Sequence, residues 1–220
     1  KISAFTKSNV SFKFPLKSKI SFEEIEIFSN SMMKDFSLIG LLSKDFTSKA
    51  LNVSVSNNGI NILGDIFVDN QKLKLNWKQD FTNDENSGIV TFEGFLNDSF
   101  LNSFYISDKI ILNGKAFLNA KFYGDLKGFK RGAIEIDGKL LRLESKNILW
   151  TKPKFSPFSL SSSIAFISSN EILLKKVSFD GPLISIFGDM KIVNNVIENA
   201  NFPIFKLYSS EDNISSDLSF

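Results

Sequence analysis

Ile110-Ile111-Leu112-Asn113-Gly114-Lys115-Ala116-Phe117-Leu118-Asn119-Ala120-Lys121-Phe122 alternates almost without a break. Every even position is apolar or Gly, and the odd positions are mostly Asn or Lys. Side chains on a strand point alternately to opposite faces, so this segment carries one apolar face and one mostly wet face. At about 3.3 Å per residue it spans roughly 40 Å, well beyond the usual strand. Asn113-Gly114 is also a strong hairpin signal. A tight hairpin there would pair Leu112 with Lys115 and Ile110 with Phe117, mixing the faces. Reading straight through keeps the even face apolar, so the expectation is one strand with Gly114 as a bulge or a point of close approach.

The same beat recurs along the chain. Val10, Phe12, Phe14 and Leu16 alternate with polar residues, and Pro15 places that strand at an edge or interrupts it. Ile20 to Ile27 continues in a strand-like way. Asn30 to Leu42 fits a short helix or a buried strand. Leu51, Val53 and Val55 alternate before a turn at Asn57-Asn58-Gly59. Ile60, Ile62 and Ile66 share a face with Gly64, and after a turn at Asp69-Asn70 so do Leu73, Leu75 and Trp77. A polar loop spans Asp80 to Gly88, and Ile89 to Phe95 returns as a strand. Asn97-Asp98-Ser99 reads as a cap for a short helix to about Tyr105.

Gly124 to Gly132 reads as a loop. Ala133 to Leu143, which holds Ile134 and Ile136, reads as a hairpin about Asp137-Gly138. Four strands follow: Leu160 to Ile167, Ile172 to Phe179, Leu183 to Val193 and Asn201 to Tyr208. Ile184, Ile186, Met190 and Ile192 share a phase in the third of them. Ile62-Leu63-Gly64-Asp65-Ile66 is echoed by Ile186-Phe187-Gly188-Asp189-Met190, a sign of repeating β architecture.

The fold class expected is therefore mainly β, an extended, curved antiparallel meander or groove with one or two short helices. Residues 1–50 form an N-terminal β segment with a possible short helix, 51–208 the repeating region, and 209–220 a loop leading into a further strand.

Composition narrows the function. The chain has 220 residues, 26 basic and 24 acidic, for a net charge of +2. That gives no electrostatic case for nucleic acid. It has no Cys and no His, which removes thiolate chemistry, the usual zinc sites and every Ser-His or Cys-His arrangement. Phe is abundant at 24 residues, which coding bias explains, but bias does not produce alternation. No apolar run is long enough for a spanning helix, and the chain opens with Lys1 inside a strand pattern, so it reads as an internal piece of a longer protein.

The sequence holds no phosphate loop or dinucleotide fingerprint. Glu23, Glu24 and Glu26 form its densest acidic cluster. A glycoside-hydrolase pair is the sharp reading and a solvated strand face the simpler one. Asp80, Asn83, Asp84 and Glu85 could hold calcium, but lack the Gly a tight calcium loop needs. No catalytic group, cofactor or metal is expected. An apolar face of this kind is either the inward face of a sandwich or a surface that holds something apolar.

Leu143-Glu144-Ser145-Lys146-Asn147-Ile148-Leu149-Trp150-Thr151-Lys152-Pro153 is followed by Phe158-Ser159-Leu160, then Phe179-Asp180-Gly181-Pro182 and Ile186-Phe187-Gly188-Asp189. A strand ending in aromatic-x-Lys-Pro, a Pro-containing loop and two strands with Gly in the second resemble the AsmA-like proteins, and within them the YhdP type. Leu73-Lys74-Leu75-Asn76-Trp77 fits the same layout, and the likeness covers about Leu51 to Tyr208. The resemblance implies a periplasmic protein anchored in the inner membrane by a segment outside this chain. It implies an apolar β-groove carrying phospholipid or another acyl lipid towards the outer membrane. The lipid-contact residues expected are Ile60, Ile62, Ile66, Ile110, Leu112, Ala116, Leu118, Ala120, Phe122, Ile134, Ile136, Ile184, Ile186, Met190 and Ile192. The rival readings are a structural or adhesive β-solenoid or sandwich of the cell surface, and a hydrolase with an acidic pair.

Overall fold

The computed structural model describes residues 2–41, 44–82, 87–102, 110–125, 128–147, 149–194, 196–208 and 213–219. The strands, in chain order, are β1 (Ile2–Lys13), β2 (Glu26–Leu41), β3 (Lys44–Ser56), β4 (Gly59–Val68), β5 (Gln71–Asp80) and β6 (Gly88–Asn97). A short helix α1 (Asp98–Asn102) precedes β7 (Ile110–Asp125), β8 (Gly128–Asp137), β9 (Leu141–Ser145) and β10 (Trp150–Lys152). Then come β11 (Ser159–Phe166), β12 (Glu171–Gly181), β13 (Ile184–Val193), β14 (Val196–Tyr208) and β15 (Asn213–Ser219). The fold is mainly β and antiparallel, as the alternation requires. Neighbours in the hydrogen-bonded order follow chain order from β1 to β8, and β8 then pairs β11, from which chain order resumes to β15. β9 leaves this path and pairs β7 and β10.

The chain divides into two units. One holds Lys1–Phe92 with Tyr123–Gly128, the other Glu93–Phe122 with Phe129–Phe220. β6 and β7 contribute residues to both.

In the first unit, hairpins follow turn chemistry. Asp69 and Asn70 both take positive φ, +45° and +64°, the conformation of the tight turn that matches strand twist. Asn57 ties its turn to the start of β2. Its Oδ1 accepts from Ile27 N at 2.6 Å and its Nδ2 donates to Ile25 O at 2.7 Å. β1 stops at Lys13, two residues before Pro15, and lies at the end of the hydrogen-bonded order. Asn30 to Leu42 is strand as far as Leu41, paired with β1 and β3 on either side. Two ladders satisfy the backbone there, which outweighs any helical spacing of its apolar residues.

Ile20 to Ile27 does not continue as strand. Phe22–Glu24 is a 3₁₀ turn in which the Glu24 carboxylate accepts from Ser21 N at 3.0 Å. That reciprocal cap holds the chain out of the ladder before β2 begins. Glu24 bonds Lys17 and Glu26 bonds Lys13, so these acids stand in separate exposed ion pairs. The Lys17 ammonium and the Ser21 N–H hold the Glu24 carboxyl below its usual range.

In the second unit, β7 runs straight through Asn113-Gly114. Gly114 has φ +116°, and a Cβ there would run into the Leu140 carbonyl oxygen, so this is the close approach expected. Asn97 caps α1, its Oδ1 accepting from Phe100 N at 2.9 Å, and Asp98 Oδ2 accepts from Gly114 N at 3.1 Å. The helix ends at Asn102. Phe104 and Tyr105, expected in it, lie outside the described residues.

Two expectations are corrected here. Gly124 to Gly132 is not a loop, because β7 extends to Asp125 and β8 starts at Gly128. Asp137-Gly138 is not a hairpin. Beyond Gly138 the chain kinks, with Leu141 N donating to Gly138 O at 2.9 Å, and runs on antiparallel to β7, where Leu141 to Ser145 face Gly114 to Ile110. β8 cannot take β9 as a neighbour, because its other edge is occupied by β11 from Ser159↔Asp137 to Ala165↔Arg131. The reversal comes later, where β10 pairs β9.

The echo noted above has a shared cause. Ser48 to Ala50 bulge out of β3 opposite Asp65-Ile66, next to the Leu51–Gly64 pair, and Lys175-Lys176 bulge out of β12 opposite Asp189, next to the Val177–Gly188 pair. Each bulge is tied to the Asp. Ser48 Oγ donates to Asp65 O at 2.5 Å, and Lys176 N donates to Asp189 Oδ1 at 2.8 Å. Each Gly is pressed by a neighbouring strand. A Cβ on Gly64 would lie 2.9 Å from Ala50 O, and one on Gly188 would run into Asn201 O.

Candidate functional site: an uncharged sheet face capped at one end

In the second unit the register aligns the even phase of β7 with one phase of its neighbours. Ile136 pairs Leu160, Leu160 pairs Phe179, Phe179 pairs Ile186, and Ile186 pairs Phe205. A second row runs Gly132–Ile164–Leu174–Met190–Ala200, and a third Phe166–Ile172–Ile192–Ile197. Ile134 pairs Ser162, and Ile184 pairs Gly181 and Leu207. These rows and the even positions Ile110 to Phe122 contain no charged side chain. Ionisable residues such as Lys115, Lys121, Arg131, Glu135 and Asp189 fall in the opposite phase.

Burial on this face is uneven. Leu112, Ala116 and Ile184 are sealed in one cluster with Leu141, Leu143, Trp150 and Phe158, and Ile136 and Ile186 pack against it. The cover is the β9–β10 arm and the loop after it. Trp150 and Phe158 lay their rings on Phe179, with centroids 5.9 and 4.8 Å away, and Trp150 Nε1 donates to Pro182 O at 2.7 Å. Away from the arm, Leu118, Phe122, Ile134, Met190 and Ile192 are half-buried, while Ala120 is buried. Ile110, at the start of β7, is exposed. Phe122, Phe129 and Phe166 form a trio with centroids 5.3 to 6.1 Å apart.

The arm gives the Trp150-x-Lys152-Pro153 motif a physical role. Thr151 faces out while Trp150 and Lys152 face in. Lys152 is wholly buried, and its Nζ donates to Leu141 O at 2.5 Å, Pro153 O at 3.0 Å and Lys139 O at 3.5 Å. Three donors meet three backbone carbonyls, which fixes the two ends of the arm to each other. Burial holds its pKa below the usual lysine value, against the opposing pull of Asp137.

In the first unit, Ile62 stands between Val53 and Trp77, Ile60 between Val55 and Gln79, and Ile66 beside Leu73. Gly64 lies between Leu51 and Leu75. Leu51, Ile66 and Val68 are each 2% exposed, whereas Ile60 is half-buried. From Phe46 onward this face carries no charged side chain across β3 to β5, while Lys44, in phase with Phe46 at the start of β3, pairs with Asp69; its polar members include Ser48, Gln71 and Gln79.

Sequence reading therefore placed the fifteen residues on apolar faces of their own units. It missed the arm, although Leu141, Leu143 and Trp150 already alternate with polar residues. It also missed an aromatic pair on the wet side of β6 and β7. Phe95 and Phe117 meet edge to face at 5.2 Å, 49% and 37% exposed. Of the calcium candidates, Asn83, Asp84 and Glu85 lie outside the described residues, and Asp80 Oδ1 accepts from Thr82 N and Oγ1. Among the described residues no group of three or more acidic side chains could hold a metal, and no helix is long and apolar enough to cross a membrane. No family model, curated protein or solved structure matches this chain.

Proposed function

We propose that the uncharged face holds acyl chains, and that the chain is a segment of an AsmA-like, inner-membrane-anchored protein whose β-groove carries phospholipid across the periplasm. One observation supports the reading. In the second unit, six neighbouring strands present rows of Ile, Leu, Phe, Met, Ala and Gly with no charge among them, and beyond the arm the large side chains are only half-buried. An alkyl chain needs a continuous apolar wall and nothing else. Removing roughly 200 Å² of apolar surface from water would contribute about 5 kcal/mol. Catalysis is not required, and the anchor would lie in segments outside this sequence.

A structural or adhesive β segment is the second reading, and the sealed cluster under Trp150 and Phe158 favours it for that end of the face. The deciding experiment is photocrosslinking in cells, with a benzophenone side chain at Met190, Leu118 and Asp189 in turn. Lipid adducts at Met190 and Leu118 but not at Asp189 are expected. Equal capture at all three, or none at any, would defeat the lipid reading. Native mass spectrometry of the purified chain supplies the mass of any co-purified lipid.

A further inference from the structure

Among the described residues, eight other than glycine take positive φ, and five of them are Asp, Asn or Lys. The other three are Leu149 at +50°, Phe155 at +72° and Leu183 at +62°. A bulky side chain is disfavoured in that region, where Gly or Asn sits at little cost. All three lie on the β9–β10 arm or beside it. Leu149 and Phe155 flank β10, and Leu183 follows Pro182, whose carbonyl accepts from the Trp150 indole. Burial does not offset the strain, since the three are 93%, 64% and 56% exposed. Local rules broken with no packing gain point to a surface kept for contact with something else.

The same segment concentrates positive charge. Lys139 to Phe158 holds five basic residues and one acidic, whereas the whole chain carries a net charge of only +2. Glu144 is taken by Arg142, and Lys152 is buried. Lys139, Lys146 and Lys154 remain, all exposed and in no ion pair among the described residues. Lys154 Nζ stands 5.3 Å from the centroid of the Phe155 ring, and Lys146 lies three residues before Leu149 in the turn between β9 and β10. The arm therefore has two sides. Leu141, Leu143 and Trp150 seal the cluster beneath it, while Arg142 and Thr151 point away. Its turns carry apolar tips set among lysines.

We propose that the outer side of the arm docks on the surface of an anionic phospholipid bilayer. Leu149 and Phe155 enter the boundary between head groups and acyl chains, and Lys139, Lys146 and Lys154 meet lipid phosphates. Apolar insertion and a basic patch are the two signals that together hold a protein at such an interface when either alone is too weak. A protein partner fits less well, because a stable interface takes about 20–30 residues a side and the arm offers a few protruding tips. Nucleic acid would use the lysines and leave Leu149 in water. The proposal stands without the lipid reading, which concerns the half-buried rows beyond the arm.

The test is vesicle flotation of the whole chain, with phosphatidylcholine vesicles, the same vesicles carrying about one quarter phosphatidylglycerol, and single-stranded oligothymidylate as a separate probe. The mixed vesicles should bind roughly tenfold more tightly than the neutral ones. Salt at roughly 1 M, where the Debye length is about 3 Å, should remove that difference. Leu149→Asn with Phe155→Asn should weaken binding to mixed vesicles roughly tenfold. That variant should melt no lower than the wild type, because Asn accepts positive φ and neither side chain is buried. Lys146→Gln with Lys154→Gln should abolish the preference for anionic vesicles, and this pair decides alone if the Asn variant melts lower. Absence of binding to mixed vesicles overturns the proposal. So does binding that keeps its full strength in either double variant, or oligothymidylate bound more tightly than mixed vesicles.

Discussion

Placing a carboxylate at two positions of the same face separates its sealed end from the rest. Ile184 is 4% exposed and packed among Leu112, Ala116, Leu141, Leu143, Trp150 and Phe158, none of which can pair with an acid. Ile184→Asp forfeits about 1.5–3 kcal/mol of burial and strands a polar group in an apolar site at a further ~2–7 kcal/mol. Even the lower bounds sum to about 3.5 kcal/mol. Leu118, on β7 beyond the arm, is half-buried, so Leu118→Asp loses about 1 kcal/mol and its carboxylate turns to solvent. The gap of at least ~2.5 kcal/mol corresponds, at a urea m of about 2 kcal/mol/M, to midpoints roughly 1.2 M apart. Trp150 sits in the cluster, and the chain has two tryptophans, so Trp150 fluorescence in a Trp77→Phe background reports on this unit. Equal midpoints for the two variants would refute the division into sealed and half-open parts. A collapse at Leu118→Asp alone would reverse it.

Other consequences are as direct. Trp150→Ala should cost about 3–5 kcal/mol through the lost ring, and Trp150→Phe less, through the lost donor to Pro182 O, about 1–3 kcal/mol; similar urea midpoints for the two would remove the arm from the core. Gly188→Ala should lower the melting temperature more than Gly64→Ala, because its Cβ meets backbone as its nearest atom whereas the Gly64 Cβ first meets the movable Leu51 side chain; the reverse order in calorimetry would contradict the packing. Lys152 titrates below the usual 10.5, so between its folded and unfolded pKa values the unfolded chain holds more protons. The stability of the wild type relative to Lys152→Met should therefore climb as pH rises towards 10.5, and a flat or falling difference in urea midpoint would contradict that lowering.

Much of this architecture is legible in the residues, and the illegible parts have physical reasons. Period-two alternation gives β7, β4 and β13 their faces because the pleat has that period and nothing competes with it. Gly114 is readable as a close approach because a hairpin would mix the faces. Asp137-Gly138 misleads because a turn pair specifies local backbone and not which edge is vacant. β11 takes that edge from more than twenty residues further on, and local sequence does not encode the competition. The arm is hidden for a related reason. Its lysine looks like a solvated outer residue, and only the convergence of three carbonyls, two from Lys139 and Leu141 at the start of the arm and one from Pro153 at its end, makes it an inner one.

The paired glycines have a consequence for how the chain avoids misassembly. Strands this alike could pair out of step, and a slip of one residue would turn every apolar side chain to water. Gly64 and Gly188 make such a slip costly at a second, steric level. Moving Leu63 or Asp65 into the place of Gly64 would drive a side chain onto Ala50 O, and moving Phe187 or Asp189 into the place of Gly188 would drive one onto Asn201 O. Each bulge with its glycine thus works as a key in a slot, so that a strand zips up in step or not at all. In a sheet whose strands are otherwise nearly interchangeable, one missing methyl per pair carries the instruction for which face is which.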